Sequence, residues 1–257
     1  MNNFKKFAAV AAGALALAAG AAQANTIAYI TGSDPWGETT NDAAMDAAFG
    51  LGNWDKISGF NNNALPGSYA FIYLDGGDGN GSGFDSFMGV NSGAIDAFLS
   101  GGGHLFANAA RNNGFDTTAV GGGGGSITGH SNYDLASENA SLTLAGAGLA
   151  AFSAGSSFTG SYFSHDIVSG VDTCYVSGDA GCVFGSLGAG LFLGGQTTTN
   201  FHNGGNPFQL RVNELTFAAN GATGAVPEPA TWGLMIMGFG LAGAALRSRR
   251  RMATAAI

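Results

Sequence analysis

The segment Tyr69-Ala-Phe-Ile-Tyr-Leu74 is apolar almost without interruption, and Asp75 to Gly83 follows it as a run of glycine and short polar residues. A six-residue apolar run is too short for a buried helix. It shows no polar alternation, so it predicts a strand covered on both faces, the usual state of a parallel strand in an α/β sheet. Thr26-Ile-Ala-Tyr-Ile-Thr31 and His104-Leu-Phe-Ala-Asn108 have the same character. Between them lie helical signals. Thr39 to Asp42 reads as a cap with an acid three residues on, and Met45, Ala48 and Phe49 then recur at helical spacing. Ile95, Phe98 and Leu99 form a second stripe, stopped by Gly101-Gly102-Gly103. Trp54 to Ile57 predicts a short further strand.

This order of strand, helix, strand, glycine loop, helix and strand predicts an open, mostly parallel sheet with flanking helices. Right-handed crossovers then bring Gly32–Trp36, Asp75–Gly83 and Asn108–Gly114 to one edge, at the carboxyl ends of the strands. The second half is less regular. Asn112 to Asn132 contains five consecutive glycines, Gly121 to Gly125, and reads as a mobile loop. The apolar spacing of Leu135 to Phe152 fits no single period. Gly190-Leu-Phe-Leu193 predicts a strand, and Phe208 to Phe217 leans towards a closing helix although strand alternation fits it nearly as well.

The ends of the chain have a different character. Lys5 and Lys6, the apolar Phe7–Gly20 and the small-residue site Ala22-Gln23-Ala24 predict a secretory signal peptide over residues 1–24. At the other end, Val226-Pro227-Glu228-Pro229 precedes an uncharged stretch from Ala230 to Leu246, and Arg247, Arg249, Arg250 and Arg251 follow. As a helix this stretch spans about 25 Å, slightly short of a bilayer core, and snorkelling arginines make up the difference. The arginines belong on the cytoplasmic side, which leaves residues 25–225 outside the inner membrane as an exported α/β domain.

Glycine accounts for 45 of 257 residues, and charged residues for only 10%. Between residues 26 and 225 the basic residues are Lys56, Arg111 and Arg211, set against sixteen acids, so the body carries 3 − 16 = −13. That balance repels phosphate backbones and anionic lipid, and excludes a nucleic-acid-binding surface. Cys174 and Cys182 are the only cysteines. In an oxidising compartment they predict a local disulfide across the turn-forming Ser177–Gly181, stapling a hairpin.

Three clusters invite a chemical reading. Asp78, Asn80 and Ser82 occupy positions 1, 3 and 5 of a calcium loop, with Gly83 at the sharp turn, but position 12 is Gly89 rather than glutamate. Calcium is the one metal for which the chain offers ligands, and no other cofactor is expected. His104, His130, His165 and His202 are scattered, and none forms a His-x-x-x-His pair. Asp34, Asp75 and His165 would share the strand-end edge, so a hydrolase there requires them to converge in one pocket. A shallow edge filled by Phe84 and Phe87 favours a binding module. Trp36, Trp54 and Tyr133 offer rings for stacking on sugars, with burial in the core as the competing use.

Two resemblances add to this reading. The order of Val226-Pro227-Glu228-Pro229, an apolar segment and an arginine run resembles the PEP-CTERM sorting signal of Gram-negative bacteria, over roughly the last tenth of the chain. The resemblance implies recognition of Pro227-Glu228-Pro229 by an exosortase-type membrane protease, use of the secretion machinery, and delivery to the surface of an exopolysaccharide producer. The body resembles class I glutamine amidotransferase-like, flavodoxin-like domains, through its strand–helix order and Ser164-His165-Asp166-Ile167-Val168-Ser169-Gly170-Val171. Those enzymes carry a cysteine in a Gly-x-Cys-x-Gly elbow. Here the strand runs into Ala107-Asn108-Ala109-Ala110-Arg111, without a thiol. The sequence therefore predicts an exported surface or matrix protein with a non-enzymatic body, the alternative being a divergent amidotransferase-like or hydrolase domain.

Overall fold

A computed structural model describes residues 26–60, 65–66, 68–111, 117–129, 138–160, 163–199, 202–203 and 205–221. The signal peptide and the whole of the sorting signal, including Val226, Pro227, Glu228, Pro229, Arg247, Arg249, Arg250 and Arg251, lie outside these residues, as do His130 and Tyr133. Among the described residues no helix is long and apolar enough to cross a membrane.

The amino-terminal half follows the predicted grammar. Strands β1 (Ile27–Thr31), β2 (Asp55–Ser58), β3 (Phe71–Asp75) and β4 (His104–Asn108) alternate with helices α1 (Thr40–Phe49) and α2 (Gly81–Ser100). All of their pairings are parallel, with β3 between β1 and β4 and β2 outside β1. The continuous apolar run in β3 is explained by layers on both faces. Phe71 and Tyr73 enter one core with Tyr29, Met45, Phe106, Leu210 and Leu215, while Ile72 and Leu74 enter the other with Phe84, Phe87, Met88 and Ile95. All five β3 residues are buried.

Helix α2 is longer than the stripe at 95–99 predicts, because it begins inside the glycine-rich run, at Gly81. Phe84, Phe87, Met88, Asn91 and Ile95 set its buried face at three- and four-residue spacing, and this outweighs the poor helix propensity of Gly81 and Gly83. Gly76 makes the close approach possible, since the side chain of Phe84 occupies the space a Cβ there would need.

The remainder corrects the expectation of a mostly parallel sheet. Strands β7 (Glu138–Leu142), β8 (Ser157–Gly160), β10 (Thr173–Gly178), β11 (Cys182–Leu187), β12 (Leu191–Gly194) and β13 (His202–Asn203) extend it to ten strands, in the order β13-β8-β7-β10-β11-β12-β4-β3-β1-β2. Four of its nine pairings are parallel and five antiparallel. The reason is loop length. Connections as short as those between β10 and β11, or β11 and β12, can only join antiparallel neighbours. Leu135 to Phe152 resists a single period because it holds β7 and then a 3-10 turn, Ala145–Gly148.

The expected mobile loop is also corrected. Thr117–Val120 (β5) and Gly125–Gly129 (β6) form a hairpin, which joins β9 (Asp166–Ser169) in a small antiparallel sheet. Thr118, Val120 and Ile127 are buried, the alternation of a half-covered sheet. The glycines form the turn, and Gly121 and Gly124 take positive φ (66° and 92°). Helix α3 (Pro207–Asn220) closes the chain against the first core, as the sequence leans. Cys174 and Cys182 are disulfide-bonded across the β10–β11 hairpin.

Candidate functional site at the carboxyl edge of the sheet

The carboxyl ends of β1, β3, β4 and β12 place Thr31, Asp75, Asn108 and Gln196 side by side, all buried. Asp75 is saturated. Its Oδ1 accepts from the Gly77 amide (2.8 Å) and from Asn108 Nδ2 (3.4 Å), and its Oδ2 accepts from Asn41 Nδ2 (2.6 Å) and the Tyr73 hydroxyl (2.9 Å). Burial pushes its carboxyl above the usual range, while Arg211 and the donated hydrogen bonds pull it down. Asn41 therefore turns inward from the first turn of α1 to serve Asp75 rather than to cap its own helix.

Beneath this edge, α3 supplies Arg211 and Glu214. Arg211 lies over the rings of Tyr73 and Phe106 at 5.9 and 5.6 Å, and its Nη2 donates to the Gln196 carbonyl at 3.2 Å. Glu214 Oε2 stands 3.5 Å from Arg211 Nη1. With its amide nitrogen facing Glu214, the orientation that satisfies both partners, Gln196 donates to Oε1 at 2.9 Å. Burial pushes Glu214 up to about 7 against the pull of Arg211.

A second network fixes the small sheet. Arg111 is buried and donates from Nε to Asp166 Oδ2 (2.7 Å), from Nη1 to Asp85 Oδ1 (3.0 Å) and Thr118 Oγ1 (2.6 Å), and from Nη2 to the Ile127 carbonyl (3.0 Å). It thereby joins the end of β4 to α2, β5, β6 and β9. Burial pushes Asp166 up to about 7 although Arg111 draws it down. Neither arginine network was anticipated from sequence. The available signal was scarcity: Lys56, Arg111 and Arg211 are the body's only cations, and each sits against two or more acidic or carbonyl groups.

The candidate residues Asp34, Asp75 and His165 lie along this edge. Asp34 pairs with Lys56 (2.6 Å), which also holds Asp42 (2.8 Å). His165 is buried and stands edge-on to Trp36, with ring centres 5.4 Å apart. Trp36 lies in the 3-10 turn Pro35–Gly37 with a positive φ of 54°, and this turn folds over Gly77. Trp36 thus bridges His165 and the loop that follows Asp75. Trp54 donates to Asp46 at 2.9 Å and packs on Tyr29. His104 Nδ1 lies 2.6 Å from the Ala219 carbonyl, at the end of α3, and the backbone of His202 pairs with Gly160.

In the calcium-like run, Asp78 sits in the loop and Ser82 lies inside α2. Asn80 braces the neighbouring loop. Its Oδ1 accepts from the Ser33 amide (2.8 Å), and its Nδ2 donates to the Ser33 and Gly77 carbonyls (2.9 and 2.8 Å). A groove of about 290 Å³ runs beside this turn, lined by Gly32, Ser33, Phe60, Asn80, Ser82 and Gly83 among others. Phe84 and Phe87 fill the core below it. Among the described residues no three histidine, cysteine, aspartate or glutamate side chains are grouped to hold a metal. After β4, where the resembling enzymes present their nucleophile, Ala109 and Ala110 are fully buried. The Ala109 amide donates to Gly194 (2.9 Å), and the Ala110 carbonyl accepts from Asp78 (3.2 Å).

Comparison with known proteins places one part of the chain. Residues 225–251 match the PEP-CTERM protein-sorting motif, so the chain carries the signal of an exosortase substrate. That motif implies export and a carboxyl terminus held transiently in a membrane. No curated protein matches the sequence. Among solved structures, one similar chain is a Thermoplasma acidophilum protein described as a GMP synthase subunit. It is 9% identical, with a TM-score of 0.47, over 76% of this chain and 95% of that one. At that identity it transfers nothing about activity.

Proposed function

We propose that the chain is an exported protein of the cell surface or extracellular matrix whose body, residues 25–225, is a non-enzymatic binding or structural module associated with exopolysaccharide. Residues 1–24 direct secretion. Residues 230–246 cross the inner membrane with Arg247, Arg249, Arg250 and Arg251 on the cytoplasmic side. An exosortase-type protease acts at Pro227-Glu228-Pro229 and releases the body outward.

One observation carries the non-enzymatic part: the two carboxylates put forward for chemistry at the strand-end edge are held by other groups of the protein. Asp75 accepts four hydrogen bonds within the protein, Asp34 is held by Lys56, and the nucleophile position is filled by Ala109 and Ala110. A hydrolytic centre instead needs a nucleophile and a base aimed at space that a substrate can enter.

The test is a thermal-shift panel on the recombinant body with acidic and neutral polysaccharides and calcium, run beside amidase, esterase and glycosidase assays. Calcium is included because Asp78, Asn80 and Ser82 lie on one loop-to-helix turn. A saturable shift with a polysaccharide and no turnover supports the proposal. Turnover that is lost in Asp75→Asn or His165→Ala refutes it.

A further inference from the structure

Resting on the sorting reading, we infer that the amino edge of the ten-stranded sheet is the face that lies on the phospholipid surface, with the Asp75–Trp36 edge pointing away from the membrane. Helix α3 ends at Gly221, where the ring of His104, the first residue of β4, and the Ala189 carbonyl just before β12 crowd the backbone. His104 Nδ1 is tied to Ala219. The tail therefore leaves from the amino ends of β4 and β12. Thr26 marks the same edge, since its carbonyl accepts from the Ala70 and Phe71 amides at the start of β3.

The tether is short. Eight residues, 222–229, separate Gly221 from the apolar stretch that begins at Ala230, and fully extended they reach about 28 Å. A compact body of some two hundred residues measures about 40 Å across, from its expected radius of gyration. The tether cannot pass around the body to bring the opposite edge to the membrane, so the exit edge must face it.

That edge also has an apolar opening. A cavity of about 550 Å³ opens there, lined by Leu65, Tyr69, Ala97, Phe98 and the Gly101–Gly103 turn, with no charged side chain. Acids lie at both edges, Asp34, Glu38, Asp78 and Asp179 at the opposite one and Asp55, Asp96 and Asp172 at the exit edge, so the tether and the apolar opening, not charge, set the orientation.

The native cysteines are joined, so an added cysteine is the only thiol. Ser100→Cys, exposed at the amino edge, and Glu38→Cys, exposed at the opposite edge, are each labelled with an environment-sensitive maleimide dye in the chain purified from membranes with its tail intact. The labelled proteins are reconstituted into phosphatidylethanolamine–phosphatidylglycerol vesicles containing a headgroup-region spin-label quencher. The expected result is quenching several-fold stronger at position 100 than at position 38. Equal or reversed quenching in vesicle-bound protein overturns the orientation while leaving the sorting reading intact. Concentration-dependent self-quenching at position 100 without lipid quenching overturns it in favour of a second copy on that face. Failure to float with the vesicles overturns the sorting reading and this inference together.

Discussion

Replacing Arg111 with methionine removes the clamp between the two sheets while retaining most of the side-chain volume. The change deletes hydrogen bonds to Asp166, Asp85, Thr118 and Ile127, and it leaves Asp166, fully buried, without its cation. Asp85 is one-third exposed, so its loss is largely compensated by water, and the penalty falls on Asp166. Breaking a buried pair from one side costs about 3–5 kcal/mol. For a body of this size that lowers Tm by about 6–20 °C, at 2–4 °C per kcal/mol.

The deficit also depends on pH. Asp166 titrates at about 7 in the folded protein, so at pH 8 it is ionised and needs Arg111, whereas at pH 5 it carries its proton. Urea unfolding of residues 25–225 at both pH values should therefore show a large loss at pH 8 and a smaller one at pH 5. Arg111→Met with Asp166→Asn should recover part of the loss at pH 8. A cost below about 1 kcal/mol at pH 8, the size of an exposed pair, would show that the clamp has been misread.

Three other perturbations probe separate parts of the fold. Burial raises the Glu214 carboxyl to about 7, above its unfolded value; its contribution is therefore fully present at low pH and is lost as pH rises through 7, and Glu214→Gln should flatten the stability–pH curve between pH 5 and 8. An unchanged slope in that variant counts against a protonated buried glutamate. Reducing the Cys174–Cys182 bond, or replacing both residues with serine, should cost about 2–3 kcal/mol, the loop-entropy value for so short a closure, as read by calorimetry. Gly76→Ala forces a methyl group into the ring of Phe84 and should cost about 1–3 kcal/mol in denaturant melts, whereas Gly89→Ala, inside α2 with open space around it, should stabilise by about 0.5–1 kcal/mol.

The parallel half of the fold was legible because burial on both faces leaves uninterrupted apolar runs at Ile27–Thr31, Phe71–Asp75 and His104–Asn108. The antiparallel half was not, since its strands are short and rich in glycine and serine, and their pairing depends on hairpin geometry instead of composition. Thr117–Val120 shows the difference clearly. Its burial alternates, but Thr-Thr-Ala-Val carries no matching polar–apolar alternation, and the adjoining glycine run reads as a loop, while the fold uses those glycines as a tight turn. At the candidate site, the grouping of Gly32–Trp36 with Asp75–Gly83 followed from topology alone. That Asp75 would be saturated by Asn41, Tyr73 and Asn108 did not, because those partners come from three separate elements. The arginine networks stayed hidden for the same reason: the partners of Arg111 lie between seven and fifty-five residues away.

The central claim, an exported body released from a membrane-held tail, is tested most directly by following the chain in cells that carry the matching membrane protease. With an epitope inserted before Ala225, wild-type protein should appear in the surface or extracellular fraction with a mass lacking the arginine-bearing end. A variant with Pro227, Glu228 and Pro229 replaced by alanine should remain full-length in the membrane fraction. Wild-type protein retained at full length in the cytosol, or released identically by the variant, would contradict the account.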